Sequence, residues 1–390
     1  MKAAGDKHQD QDHEYSFVLA YLSALLYKNP GLYPSPSLNF DWEKFYRILL
    51  AEKLTGLFAS ITKTQPEMWP QSIQDRLQGV RYRLLLYHDW WIEHMKSTLS
   101  ALDHLRIPII VLKGWALMER VYDGDSSQRI TSDIDLLIKP EDFARVTNFL
   151  HEQGYRDGMI EPWPGYYLRY ISSIHYLSPH VHELTSQGLN IDLHWGVPEP
   201  PFYDHHIDVG ELMNYAESLN TAGVEVKRFP IEEEIVYISA HIAHHGYREN
   251  LSRYYETASL IRKAIHTIDW TKVCYVASRW HVSLPLRRMI ATLNDLWPES
   301  VPSEVAVSIE KLNTPRKDKI TDHYLAKSRH PESTTLLLSI LNIKQVSVKT
   351  RFFLETLFPN RYYMEKYFGP ISGKIWPVLY VRRIARFVSG

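Results

Sequence analysis

Asp133 and Asp135 stand on either side of one isoleucine in the run SDIDLLIK, which otherwise reads as a buried strand. Carboxylates disfavour strands and almost never enter a core unpaired. Alternate strand side chains share a face, so the two point together, about 6–7 Å apart at the backbone. Like charges so placed repel unless a cation lies between them. Hard oxygen ligands suit Mg²⁺ or Mn²⁺, which keep several waters and accept phosphate oxygens. Two such ions, roughly 3.5–4 Å apart, serve in-line displacement at phosphorus. Asp192, between Ile191 and Leu193 in LNIDLHWGV, interrupts a second apolar strand pattern. On an antiparallel neighbour it would face the first pair as a third ligand. The bland alternative is strand-end aspartates bonded to loop amides.

The elements around these residues sharpen the expectation. PIIVLKG is a short β-branched run closed by glycine and followed by the helical WALMERVYD. A turn of this kind offers free backbone N–H groups at a helix start, an anion site at Lys113 and Gly114, and Lys113 adds a point charge for phosphate. SDIDLLIK is the next strand and PEDFARVTNFLHEQGY a helix opening on proline. SIHYLSPHVHEL, LNIDLHWGV and VEVKRF read as further strands. Before this module, EYSFVLAYLSALLY, DWEKFYRILLAEKLTGLFAS and the long run from Pro70 to Leu105 are apolar at helical spacing, with prolines 30, 34 and 36 marking a loop. After Pro230 four more segments read as helices. The expected organisation is a disordered tail over 1–13, a helical region over 14–105, a mixed-sheet module over 106–230 and a helical region over 231–390: an α+β chain.

Composition removes several classes of function. The net charge is −1 and the pI about 7.0, so a protein that coats nucleic acid is not expected. Cys274 is the single cysteine, which rules out an internal disulfide and a cysteine metal cluster. The polar start MKAAGDKHQDQDH lacks the apolar stretch of a signal peptide, and no run of 18 apolar residues offers a membrane span. A cytoplasmic location is the expectation.

Other clusters have plainer readings. His241, His244 and His245 in HIAHHG fall close to one helix face, a spacing that can bind a transition metal but more often makes polar helix contacts. His180, His182 and the stretch Tyr203–Asp208 read as surface or loop. His194 is expected to face the opposite side of its strand from Asp192, as a structural residue. The aromatic runs HDWWIEHM and GYYLRYI read as packing rather than base stacking. Lys374, Arg382, Arg383 and Arg386 sit in an acid-free C-terminal stretch, read as a helix docked by its apolar face, with membrane-surface contact as the second reading.

Taken together, Leu112-Lys113-Gly114, Arg129 with Asp133 to Ile138, Gly154-Tyr155 and Ile191 to Trp195 resemble the nucleotidyltransferase superfamily that includes DNA polymerase beta and kanamycin nucleotidyltransferase. More closely, they are similar to a bacterial family of uncharacterised nucleotidyltransferases, over roughly residues 95–265. The resemblance implies a nucleotidyltransferase-type module in which Asp133, Asp135 and Asp192 hold the metals and Asp192 also accepts the proton of an incoming hydroxyl. It sets Lys113 and Gly114 where the superfamily usually has Gly-Ser or Gly-Gly against the triphosphate, and makes Arg129 and Ser132 nucleotide neighbours. It also implies a histidine-bearing helix at His241–His245, then an aspartate where this chain has Glu256. The implied reaction moves a nucleoside monophosphate from an NTP to an acceptor hydroxyl, with Mg²⁺ or Mn²⁺ and release of pyrophosphate. Near-neutral charge favours a small molecule, peptide or protein over nucleic acid as acceptor. Two other readings stay open: a non-catalytic nucleotide-binding or regulatory protein on the same fold, and a metal hydrolase built on the histidine clusters.

Overall fold

The computed structural model describes residues 13–129, 131, 133–157, 173–179, 181–182, 187–199, 201–202, 207–221, 223–328, 331–343, 346–359, 364–365, 368–369 and 376–389. Helical periodicity before the sheet resolves into α1 (His13–Leu26), α2 (Trp42–Ala51), α3 (Thr55–Thr64) and α4 (Gln71–His104). Asp41 caps α2, accepting from the amides of Glu43 and Lys44 at 3.0 and 2.9 Å. The run around it, expected as one helix, is two. Lys53 adopts φ +54°, and the amides of Lys53 and Leu54 turn back to the carbonyls of Leu50 and Leu49 at 3.3 and 2.8 Å. This is a Schellman turn, which ends α2. Phe17, Phe45, Phe58 and Trp69 fill the angle between these helices, with Phe45 stacked on Trp69 at 5.7 Å.

The central segment alternates strands and helices: β1 (Ile110–Leu112), α5 (Lys113–Tyr122), β2 (Asp133–Leu137), α6 (Phe143–Glu152), β3 (Arg156–Asp157), β4 (Ser173–Leu177), β5 (Val181–His182), β6 (Gln187–Gly188), β7 (Asn190–His194), α7 (Val209–Tyr215), β8 (Glu217–Thr221) and β9 (Val224–Arg228). Seven strands form one mixed sheet in the order β3-β4-β7-β2-β1-β9-β8, while β5 and β6 pair separately. The run expected as one strand over 173–184 therefore splits between two sheets. Strand alternation separates the two faces of the large sheet. Val111, Ile134, Leu136, Ile174, Ile191 and Leu193 join a core with Trp91, Met95 and Leu99 of α4. Ile110, Leu112 and Leu137, on the other face, join a larger core with the helices that follow. Asp133, Asp135 and Asp192 share that second face.

Those helices are α8 (Ile231–His244), α9 (Leu251–Lys263), α10 (Trp270–Arg279) and α11 (Ser283–Leu296), followed by Ser303–Glu310, Arg316–Lys327, Pro331–Asn342, Val346–Leu357 and Trp376–Ser389. Three acids open α8, where the helix dipole favours them. Glu232 and Glu233 take Lys272 of α10 at 3.2 and 3.0 Å, and Glu234 pairs with Arg120 of α5, so the sheet module and the helices behind it are tied by charge as well as packing. The last helix docks Leu379 with Met364 and leaves Val378 and Val381 exposed. Among the described residues no helix is long and apolar enough to cross a membrane. Residues 1–12 of the expected tail, Ser132, His180, Tyr203–His206, Lys374 and the GYYLRYI segment lie outside the described residues, as do the side chains of His182, Arg383 and Arg386; His13 begins α1.

Candidate active site

β2 and β7 run parallel, with Asp135 beside Asp192 and Asp133 beside Asn190. The antiparallel pairing expected for Asp192 is thus corrected. The chain reaches β7 from β2 through α6, β3 and β4, and β4 is antiparallel to β7, which returns β7 to the direction of β2. Registered neighbours share a face in either sense, about 4.8 Å apart across the strands, so the three aspartates still converge. His194 is a second correction. Two residues beyond Asp192, it lies on the same face, and its Nε2 donates to Asp135 Oδ1 at 3.1 Å.

β1 is antiparallel to β2 with Leu112 opposite Asp135, so the next residue, Lys113, leaves the sheet beside that carboxylate. Lys113 adopts φ +48° as α5 begins. Its Nζ lies 2.9 Å from Asp135 Oδ1 and 2.5 Å from Glu199 Oε1, with 7% of the residue exposed. The ammonium expected as a point charge for phosphate is paired in the structure with two buried carboxylates. Burial by itself would lower the Lys113 pKa; Asp135 and Glu199 outweigh it and hold it well above the ordinary value. Burial would raise Asp135, but Lys113 and His194 keep it well below the usual carboxylate range. Glu199 behaves alike, held down by Lys113 and His241 against its burial. Tyr237 donates to its Oε1 at 2.9 Å, and His241 Nδ1 lies 3.3 Å from its Oε2. Burial, with Lys113 nearby, drives His241 down to about 3, so the ring is neutral near pH 7.

Arg129 reaches the same helix start from the other side. Its Nε donates to Glu256 Oε1 at 2.7 Å and its Nη1 to Thr131 Oγ1 at 2.6 Å. A Cβ on Gly114 would meet Arg129 Cζ and Nη2 at 2.8 Å, so glycine is what lets the guanidinium lie against the first turn of α5. Leu112, the residue before that turn, makes no side-chain cap bond, which leaves the opening amides of α5 to other partners. Glu256 also accepts from Tyr122 at 3.2 Å and from Arg253 at 3.3 Å. The position where the resembling family has an aspartate is here an arginine clamp.

The carboxylates outnumber their counter-charges. Burial, then Asp135 and Asp192, push Asp133 up to about 6, the mark of an under-compensated acid. His175 of β4 lies opposite Asp192 and bonds its Oδ1 through Nδ1; that bond raises the His175 pKa. With Oδ1 of Asp135 and of Asp192 engaged, the second oxygen of each is the one a cation would use. The all-oxygen donor set, the charge deficit at Asp133 and the shared face fit hard divalent ions. Among the described residues, His241, His245 and Glu249 form a group of three potential ligands within 4.8 Å of one another. Reading the sequence missed Glu199, His175 and Tyr237. Alternation along SIHYL was a signal for His175, two residues before the outward Leu177; Glu199, in a proline-flanked turn, had none.

Among solved structures, the chain is similar to the antibiotic-resistance factor ANT(2'')-Ia (16% identity, 52% of this chain and 95% of that one, TM-score 0.33). It is similar also to the lincosamide antibiotic adenylyltransferase LnuA (13%, 43% and 94%, TM-score 0.29) and to an antigenic nucleotidyltransferase-like protein from Paracoccidioides brasiliensis (15%, 58% and 94%, TM-score 0.35). Superpositions this loose say nothing of substrate. No curated protein matches. The family whose model matches residues 39–298 spans α2 to α4, the three aspartates and the helices α8 to α11, and by that match this chain belongs to the uncharacterised nucleotidyltransferases.

Proposed function

We propose that this protein transfers a nucleoside monophosphate from an NTP to a hydroxyl of a small molecule, peptide or protein. The observation that carries the reading is the register of β2 on β7, which sets Asp192 beside Asp135 with Asp133 on the same face. Asp133, Asp135 and Asp192 would hold Mg²⁺ or Mn²⁺, and such ions supply positive charge to the attacking and leaving oxygens at the α-phosphorus. Lys113 keeps Asp135 ionised, and His175 orients Asp192 so that its other oxygen takes the proton of the acceptor hydroxyl. A bond forms from that hydroxyl oxygen to the α-phosphorus, the α–β phosphoanhydride bond breaks, and pyrophosphate leaves. The amides opening α5 at Gly114, with Arg129 against them, form a positive end for the phosphates, and Ser132 is assigned beside them. The division at about 105 and 230 makes the sheet module the transfer unit and gives acceptor choice to the helical regions. The net charge of −1 supports an acceptor other than nucleic acid.

The test is incubation with each α-labelled NTP, Mg²⁺ or Mn²⁺ and candidate acceptors. Pyrophosphate release by the wild type is expected to fall at least about 10²-fold in Asp133→Asn and Asp135→Asn, since several kcal/mol of charge stabilisation are lost. Equal release by wild type and variants would overturn the assignment.

A further inference from the structure

The sequence HIAHHGYRE at the end of α8 sets His241 and His245 one helical turn apart. Gly246 and Tyr247 then take φ of +65° and +61°, reversing the chain so that Glu249 comes back against the helix end. Glu249 Oε1 lies 3.8 Å from His241 Nε2 and 3.9 Å from His245 Nε2, and the three ligand atoms all fall within 4.8 Å of one another. These separations are too long for hydrogen bonds. They are a few tenths of an ångström wider than the edges, about 3.3–3.5 Å, of a tetrahedron built on bonds of about 2.0–2.1 Å.

A second, independent contact points the same way. His241 Nδ1 faces Glu199 Oε2 at 3.3 Å, and an ionised carboxylate only accepts, so Nδ1 carries the hydrogen. Nε2 is then the nitrogen aimed at Glu249, and at 3.8 Å the gap is too wide for a proton to bridge as a hydrogen bond but leaves room for a metal ion between the two. A carboxylate behind the distal nitrogen of a histidine is the usual outer support of a metal-ligating imidazole. His241 and Glu249 are largely buried, whereas the His245 side chain is 48% exposed, which leaves a solvent side for a water as fourth ligand.

We propose that His241 Nε2, His245 Nε2 and Glu249 form a site for a borderline transition-metal ion of the Zn²⁺ class, separate from the aspartates. Two imidazoles and one carboxylate favour Zn²⁺ or Co²⁺ over Mg²⁺. The bound ion fixes the ring of His241 against Glu199, and Glu199 holds Lys113 beside Asp135, so the metal acts as a positioning site. The site stands whether or not the nucleotidyl-transfer reading does.

The test uses the full chain, stripped by a chelator and titrated with Zn²⁺ by calorimetry, and with Co²⁺ by visible absorption. The wild type is expected to bind Zn²⁺ in the presence of excess Mg²⁺, to give the visible spectrum of nitrogen-ligated Co²⁺, and to melt at higher temperature with Zn²⁺. His245→Ala trims a half-exposed ring and Glu249→Gln keeps the shape of the side chain it replaces, so both are expected to keep the far-ultraviolet dichroism of the wild type. Each should lose more affinity than the roughly 10–100-fold that removal of an outer-shell partner costs. Asp133→Asn/Asp135→Asn should bind Zn²⁺ as the wild type does. Failure of the wild type to bind, unchanged affinity in the histidine and glutamate variants, or loss confined to the aspartate variant would each overturn the proposal.

Discussion

At Asp133 the proposed function and the stability of the fold pull against each other. An ordinary aspartate releases its proton near 3.8, while burial and the neighbouring carboxylates push Asp133 up to about 6. Between those values the folded chain holds a proton that the unfolded chain has released, so stability falls as pH rises through the window, and the full penalty stands above about 6. Removing the charge should therefore help the fold while, on the proposed function, it abolishes transfer. Asp133→Asn is expected to stabilise the metal-free protein at about pH 7.5 by up to about 3 kcal/mol, and by almost nothing near pH 4. Thermal melts in chelator at both values check this, and added Mg²⁺ should raise the wild-type melting temperature alone. Gly114 gives a second test at this scale. In Gly114→Ala the new methyl group must displace the Arg129 guanidinium from Glu256, which breaks a buried pair; a loss of about 3–5 kcal/mol in denaturant titration is expected. Unchanged stability would mean that Arg129 does not lie where the structure puts it. The aspartates were legible in the sequence because charge in an apolar strand is conspicuous. Glu199 was not, because Lys113, Tyr237 and His241 meet it only through the tertiary fold.

At the scale of elements, most strands and helices could be read from periodicity, and the failures have local causes. The elbow between α2 and α3 was missed because its left-handed residue is Lys53, where glycine would have signalled the stop. A lysine there carries a Cβ penalty that the turn must absorb. Lys53 is exposed, so Lys53→Gly tests the turn alone; it is expected to stabilise the protein by about 0.5–1 kcal/mol, read as a shift in urea midpoint at unchanged slope. Destabilisation would contradict the assigned backbone. The strand β8, paired with β9, was missed for another reason. ESLNT buries only Leu219 and Thr221 on an edge strand, so its pattern is too sparse to rise above a loop. The direction of β7 was illegible in principle: a strand's own alternation is the same whether its neighbour runs parallel or antiparallel, and only the order of the intervening strands decides.

At the scale of the whole molecule, α4 carries the connection between cores. Its 34 residues extend about 50 Å, with Ile73 and Leu77 in the aromatic-rich core and Trp91, Met95 and Leu99 under the sheet. His88 sits at the crossing, stacked on Trp115 of α5 at 5.3 Å, and its Nε2 is buried with no hydrogen-bond partner among the described residues. Burial lowers its pKa to about 4, against the pull of Asp89 and Asp125. For a base the sign is opposite to that of Asp133. Between about 6.5 and 4 the unfolded chain takes up a proton that the folded chain refuses, so stability is lost as pH falls through that window. His241, lowered to about 3, acts in the same direction. His88→Phe keeps an aromatic ring on Trp115 and removes the titration. Its unfolding free energy is expected to drop less than that of the wild type between about pH 7.5 and 5, with a difference of up to about 3 kcal/mol once the window is crossed. Because the seam joins α4 to the helix that begins at Lys113, the fluorescence of Trp91 and Trp115 should change with the same midpoint as the loss of helix. A His88→Phe protein that lost stability in acid as steeply as the wild type would locate the sensitivity elsewhere, at His241 and the carboxylates it supports.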